Sequence, residues 1–570
     1  MPAEATQRLL NQLDELKRSF GAKAKVRIAR ILTLLSDHRF RDAESLIRFH
    51  EILLFIRAYP HSPLLLRRVE RILASFPERV ELLREAGLEL SPFEEGEVSG
   101  IAGTSLTANF SYNVARWLVQ RHGAEVTIDW EDYEDVARLG ETLPRFVPLL
   151  EEDALVEANV PFNEWLRSAV GRRGRDLSWL MRGFEQLSLS NQEKAELYDS
   201  LKLYIRWEPR RFRLTRTGMK LPVRKVYYHD RPLLRRSDIS LLAELDAPAL
   251  PMEKLSRKRG EAILSMIRDT SAIRYRELHG FTYGDPGSVL HARAGRGVEF
   301  FFNGVSPAHR LPLRAYHSAF MLKNGVPVGY AEGLSLFERM EFGFNLYYTF
   351  RDGESAWLYA RMLRLFRQVL GVTAFSVDPY QIGFENEEGI ESGAFWFYRK
   401  LGFRPVRAEI MKVVADEERK IAVRPQYRTL PATLRQIATS HLLFEMQPSP
   451  GKPWDLFQIR NLGLSVNHRM AMRFGGDAAK IRKSSAMRVA RALGLNTADW
   501  KEPERLAFEN LSLVFALIPD LARWTDGEKS AIARLARAKG AADESLYVRL
   551  LQKQSRLRDA LIALGSNRKP

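Results

Sequence analysis

The spacing of apolar residues changes period twice along this chain, and that limits its architecture more than any other feature. Up to about residue 205, apolar side chains recur three and four apart: Leu9, Leu10, Leu13 and Leu16; Ile28, Ile31, Leu32 and Leu35; Leu46, Ile47, Ile52, Leu53 and Ile56. This is the spacing of one face of a helix. Polar breaks such as Tyr59-Pro60-His61-Ser62-Pro63 separate the helices. From about 296 to 415 the texture is that of strands, and from 431 to 570 it is helical again. A chain of 570 residues, 45% of them hydrophobic, can bury several cores, and two to four domains are expected. The shifts place them at 1–205 (α-helical), 206–269 (a basic connecting segment), 270–425 (α+β) and 426–570 (basic, α-helical).

The central texture predicts a definite order. Val298-Glu299-Phe300-Phe301-Phe302 and 315–322 read as strands. Asn324-Gly325, a strong hairpin signal, leads into a strand from Val326 through Ala331. A further strand at 342–350 runs into Arg351-Asp352-Gly353-Glu354-Ser355-Ala356. A helix is predicted over 357–370, with Gly371 as its stop. Then follow strand 373–377, a polar loop, helix 392–401, and strand residues from Phe403 through 411–414. The order is β-β-β-β-α-β-α-β.

Charge is unevenly spread. The net +17 resolves into +9 over 206–236 and +11 over 426–570, which leaves the remainder near neutral. In the first stretch Trp207, Phe212, Tyr227 and Tyr228 lie among arginines, a composition able to stack bases and neutralise phosphates, or else to pack on an acidic neighbour. The second stretch gathers Arg482, Lys483, Arg488 and Arg491, and suits nucleic acid, an anionic membrane surface or an acidic protein.

Several chemistries are excluded. With no cysteine there is no disulfide, thiolate nucleophile or Cys-ligated zinc. No P-loop, GxGxxG, HExxH or GxSxG motif occurs, and the eleven histidines are scattered, so no metal site is expected. The first sixteen residues lack a basic segment followed by an apolar one. Apolar runs such as 511–521 fall short of the ~20 residues of a spanning helix. A cytoplasmic protein without a membrane span is expected.

Phe397-Tyr398-Arg399-Lys400-Leu401-Gly402-Phe403, the strand order, and a strand running straight into a short loop and helix together resemble the GNAT family, the Gcn5-related N-acyltransferases, over roughly 270–425. The resemblance implies an α+β fold: a GNAT-like mixed sheet with flanking helices, set between two mainly helical regions. It implies acetyl-CoA or another acyl-CoA as co-substrate and an amine acceptor that attacks the thioester directly. A pyrophosphate needs clustered N–H donors, which a loop opening a helix supplies. By resemblance the cofactor residues are Tyr348, Thr349, Arg351, Asp352, Gly353, Glu354, Ser355, Ala356 and Glu391. Tyr398 falls where the family protonates the leaving thiolate. Glu332, after the third strand, and Asp378, ending the fifth, are candidate bases. Two positions depart from the family pattern: Glu354 stands where it has Gly, and Glu391 where it often has Asn. A carboxylate at the loop repels pyrophosphate unless it points away. The alternative is a non-catalytic GNAT-like protein that binds a polyanion or acidic partner through its basic regions.

Overall fold

A computed structural model describes residues 3–147, 160–171, 174–448 and 450–566. Among them, twelve strands form two sheets. The small sheet joins β1 (Leu106–Asn109), β2 (Val126–Ile128) and β3 (Tyr204–Trp207) in the order β1-β3-β2, all antiparallel. These strands lie in the region expected to be mostly helical. Trp207 is fully buried in this sheet and stacks on His122 at 5.3 Å, so it is not a surface platform for bases.

The large sheet is mixed. It comprises β4 (Met252–Lys254), β5 (Leu290–Gly295), β6 (Val298–Gly304), β7 (Ala315–Lys323), β8 (Val326–Leu336), β9 (Arg339–Leu346), β10 (Ala374–Val377), β11 (Arg404–Pro405) and β12 (Leu442–Glu445). Strands β4 to β9 form an antiparallel meander. Strand β10 pairs parallel to β9, and β12 then pairs antiparallel to both β10 and β11. The expected hairpin closes with Asn324 and Gly325 both at positive φ (49° and 80°), as a two-residue turn matching strand twist requires. The Asn324 side chain donates to the carbonyls of Ala58 and Tyr227 at 2.9 and 3.0 Å, which ties the turn to the N-terminal helices.

The helix Ser355–Leu370 covers one face of this sheet. Its Phe366 meets Phe302 and Phe342, each at 5.1 Å, and Gly371 ends it in the left-handed conformation. Residues 411–414, expected as a strand, belong instead to the helix Ala408–Val423. Ile410 and Val414 are buried there at a four-residue spacing, and that spacing outweighs the β-branched run. The strand role passes to β12, inside the region expected to be helical.

Helices Ala3–Leu16, Ala22–Ser36, Ala43–Ala58, Pro63–Ala74 and Phe76–Glu85 share one continuous apolar core with the large sheet and the C-terminal helices. Residues 106–219 build a second core around the small sheet, which also takes in Ala272 and Ile273. No helix among the described residues is long and apolar enough to cross a membrane.

Candidate active site

The parallel pairing of β9 and β10 covers only Arg339–Glu341 against Ala374–Ser376. Strand β9 runs on to Leu346, bonded to β8 on its other edge alone. Strand β10 ends at Val377, so β9 runs on beyond it. The main-chain groups of 342–345 on that side form a gap without a strand partner, while the Leu346 carbonyl accepts from Arg351 Nε at 3.4 Å. Such groups demand a partner.

Register places the side chains at this gap. Glu332 on β8 stands opposite Gly343 on β9, and Leu334 opposite Glu341, so all four share the sheet face away from the helix Ser355–Leu370. Gln381, in the turn Pro379–Ile382 after β10, lies against Gly343: a Cβ there would sit 3.0 Å from Gln381 Nε2. From the other side of the gap the Tyr398 hydroxyl donates to Gln381 Oε1 at 3.3 Å. Tyr398 is buried and ringed by Phe397, Tyr359 and Phe403 at 5.2–5.8 Å. That burial pushes its hydroxyl pKa well up, so the proton is held at neutral pH. The Tyr359 hydroxyl beside it is buried with no partner among the described residues.

Glu332 accepts from the Tyr316 hydroxyl at 2.8 Å and from the Gly280 N–H at 3.3 Å. Burial raises its pKa, against these two donors. Asp378 caps the turn that carries Gln381, accepting from Tyr380 N at 2.9 Å. His441 Nε2 lies 3.5 Å from its carboxylate, and that contact chiefly holds Asp378 below the usual carboxylate range. The structure thus brings Tyr398 and Glu332 to the two faces of one gap, with Asp378 at its lip.

The loop after β9 is built differently from a bare phosphate cradle. Glu354 points into the interior, where its carboxylate is 0% exposed. It meets Arg296, Lys323 Nζ (3.5 Å) and the Leu234 N–H (3.2 Å). Gly353 allows Tyr59 to approach, since a Cβ would sit 2.5 Å from its hydroxyl. Thr349 donates to Glu51 and accepts from Arg216 at 3.1 Å. Asp352 pairs with Lys17 at 3.1 Å and Arg18 at 3.5 Å. The Ser355 hydroxyl donates to the Arg351 carbonyl at 2.7 Å, while Ala356 is buried. Tyr348 is 59% exposed. Glu391 is exposed at the end of the helix Glu387–Glu391. It is Glu388 of that helix that reaches the loop, pairing with Arg351 at 2.5 Å.

Gln381, Gly343, Tyr316 and Tyr359 were not singled out as site residues from the sequence. The Asp378-Pro379 step, a turn-capping pair, is the one local signal that a side chain three places on would be turned back over the strand ends. Comparison with protein-family models, curated proteins and solved structures finds no match.

Proposed function

We propose that the chain is an acyl-CoA-dependent N-acyltransferase, most simply an N-acetyltransferase of the cytoplasm, with a GNAT-like core in the large sheet. The observation that carries this is a parallel strand pair in which β10 stops and β9 runs on, leaving a gap beside a buried tyrosine, in a sheet whose other pairings are antiparallel. The free edge of β9 offers alternating N–H and C=O groups to an amide-bearing cofactor arm. Acyl-CoA supplies the activated thioester. Tyr398, protonated through neutral pH, is placed to give its proton to a leaving sulfur, with Gln381 fixing the direction of its hydroxyl. Glu332, raised by burial, suits the removal of a proton from an ammonium at the opposite face.

The inward turn of Glu354 removes a negative charge from the loop mouth. Arg351 is the loop cation able to exchange a carboxylate for a phosphate, since its bond to Glu388 is partly exposed. Calorimetric titration with acetyl-CoA tests the assignment: heat at millimolar ligand or below is expected, and its absence in folded protein overturns it.

One observation favours the polyanion alternative. The helices Ile459–Phe474 and Ala478–Leu493 hold no acidic residue and expose Arg460, Arg473, Lys480, Lys483, Arg488 and Arg491. Retention on heparin that falls steeply with salt is its signature.

A further inference from the structure

Beside the gap, the open face of the sheet forms the floor of a cleft of about 1500 Å³, larger than ordinary small-molecule pockets. Leu334, Glu341 and Asp378 belong to this floor. Leu334 and Glu341 stand one pair along from Glu332 and Gly343 on the same face, so the cleft leads directly to the gap. Exposed Leu456, Leu464 and Phe384 stand at its walls.

Arg339 lies in the floor at the far end. Its Nε donates to the Ser376 hydroxyl at 3.1 Å, and its guanidinium stacks over Trp454 at 5.5 Å. Its Nη1 is buried without a partner among the described residues. The acidic groups nearby do not complete it. Glu341 meets Arg314 at 3.4 Å, and Asp455 and Glu445 meet Arg404 at 2.9 and 2.8 Å. Burial also pulls the Arg339 pKa down, which an anion delivered to Nη1 would reverse. A planar monoanion fits this end, because a dianion would face those same carboxylates at close range. At the near end Asp378, held ionised, suits an ammonium. The Arg339 guanidinium lies at Ser376, two residues before Asp378, a span of about 7 Å along extended chain.

We propose that this cleft binds the acceptor as an extended, peptide-like amine, with the ammonium at Asp378 and a carboxylate at Arg339. Calling the bound molecule the acceptor rests on the acyl-transfer proposal; its two-ended charge recognition rests on the cleft alone.

Di-alanine, about 7 Å long when extended, is the probe. It is titrated calorimetrically without acetyl-CoA, as the free acid, as the C-terminal amide and as the N-acetylated acid. The free acid is expected to bind about 10-fold or more tightly than either blocked form, as loss of one charge-assisted pairing implies. In Arg339→Met the acid and amide should bind alike. Equal binding of acid and amide by the unmodified protein overturns the proposal without recourse to any variant. So does no binding of the acid at 10 mM, or displacement of the peptide by inorganic phosphate at lower concentration than by acetate. If the peptide behaves as expected but acetyl-CoA gives no heat, the cleft's ligand chemistry stands and its role as acceptor site falls.

Discussion

At Glu332 the balance of burial against two hydrogen bonds sets when the carboxylate can act. Its pKa lies above the usual glutamate value because burial outweighs the Tyr316 and Gly280 donors. A base acts ionised, so acyl transfer should rise with pH through a limb above the ordinary glutamate range of about 4.3. Tyr316→Phe removes a donor that favours the charged form, and should move that limb to higher pH; Glu332→Gln should abolish the limb and lower turnover. A kcat/KM profile against pH reads both, and a limb left in place by Glu332→Gln would assign the base elsewhere. Across the gap, Tyr398→Phe should leave acetyl-CoA affinity nearly intact and cut turnover about 10²-fold. Gly343→Ala should act in the same direction by another route: its Cβ would crowd Gln381, so the Tyr398 hydroxyl would lose its guide while the fold persists.

Among the elements, strands β6 to β9 of the meander, the helix after β9 and the turn at Gly371 were legible because each has a local cause: alternation, a 3.6-residue period, a left-handed stop; β4 and β5 were not anticipated. Nor was the tyrosine partner of Glu332. Counted from the Asn324-Gly325 turn, Glu332 falls opposite His317. A bulge between Met321 and Leu322 shifts the pairing by one, placing it opposite Ser318 and diagonal to Tyr316. A one-residue shift exchanges the faces, and nothing in the local composition announces it. Strand β12 was missed because its pairing with β10 and β11 is decided by residues far away in sequence. The inward direction of Glu354 was out of reach of the sequence, because Arg296, Lys323 and Leu234, which receive it, lie on other elements. That cluster anchors the start of the helix Ser355–Leu370. Glu354→Gln would leave Lys323 and Arg296 buried without their counter-charge, at a cost of roughly 3–5 kcal/mol. Adding Lys323→Met should restore part of the loss. A thermal melt of the single and double variants measures this, and equal destabilisation by both would show that the pair is not coupled.

Across the whole molecule, the N-terminal helices are continuous with the large sheet in their packing. In the helix Ala43–Ala58 thirteen residues are buried, and its Glu51 carries a network that crosses three parts of the chain. Glu51 receives His50 at 2.9 Å, Arg216 at 2.8 Å, and Thr349 of the loop after β9. Although burial opposes ionisation, Arg216 and His50 hold its pKa well below the usual range. Arg57 binds the Thr217 carbonyl at 2.6 Å, and Asn324 binds the carbonyl of Ala58. The basic segment over 206–236 is thus partly spent inside the protein, with Arg216 buried against Glu51 and Lys220 on Glu70 at 2.7 Å. The C-terminal helices are tied in similarly, through Arg558 on Glu338 and the Tyr547 hydroxyl on the Leu313 carbonyl at 2.7 Å. Removing residues 1–102 would therefore strip a wall from the sheet's core. It would also take from Arg216 and Thr349 their shared partner Glu51, and from the Asn324 side chain the Ala58 carbonyl, a set of losses each worth about 1–3 kcal/mol or more. Set against the total stability of ordinary proteins, about 5–15 kcal/mol, this should abolish cooperative folding of the remainder. A chain beginning at residue 103 should show no sharp thermal transition and no acetyl-CoA binding. A cooperative melt with cofactor binding retained would instead make the helices a dispensable attachment.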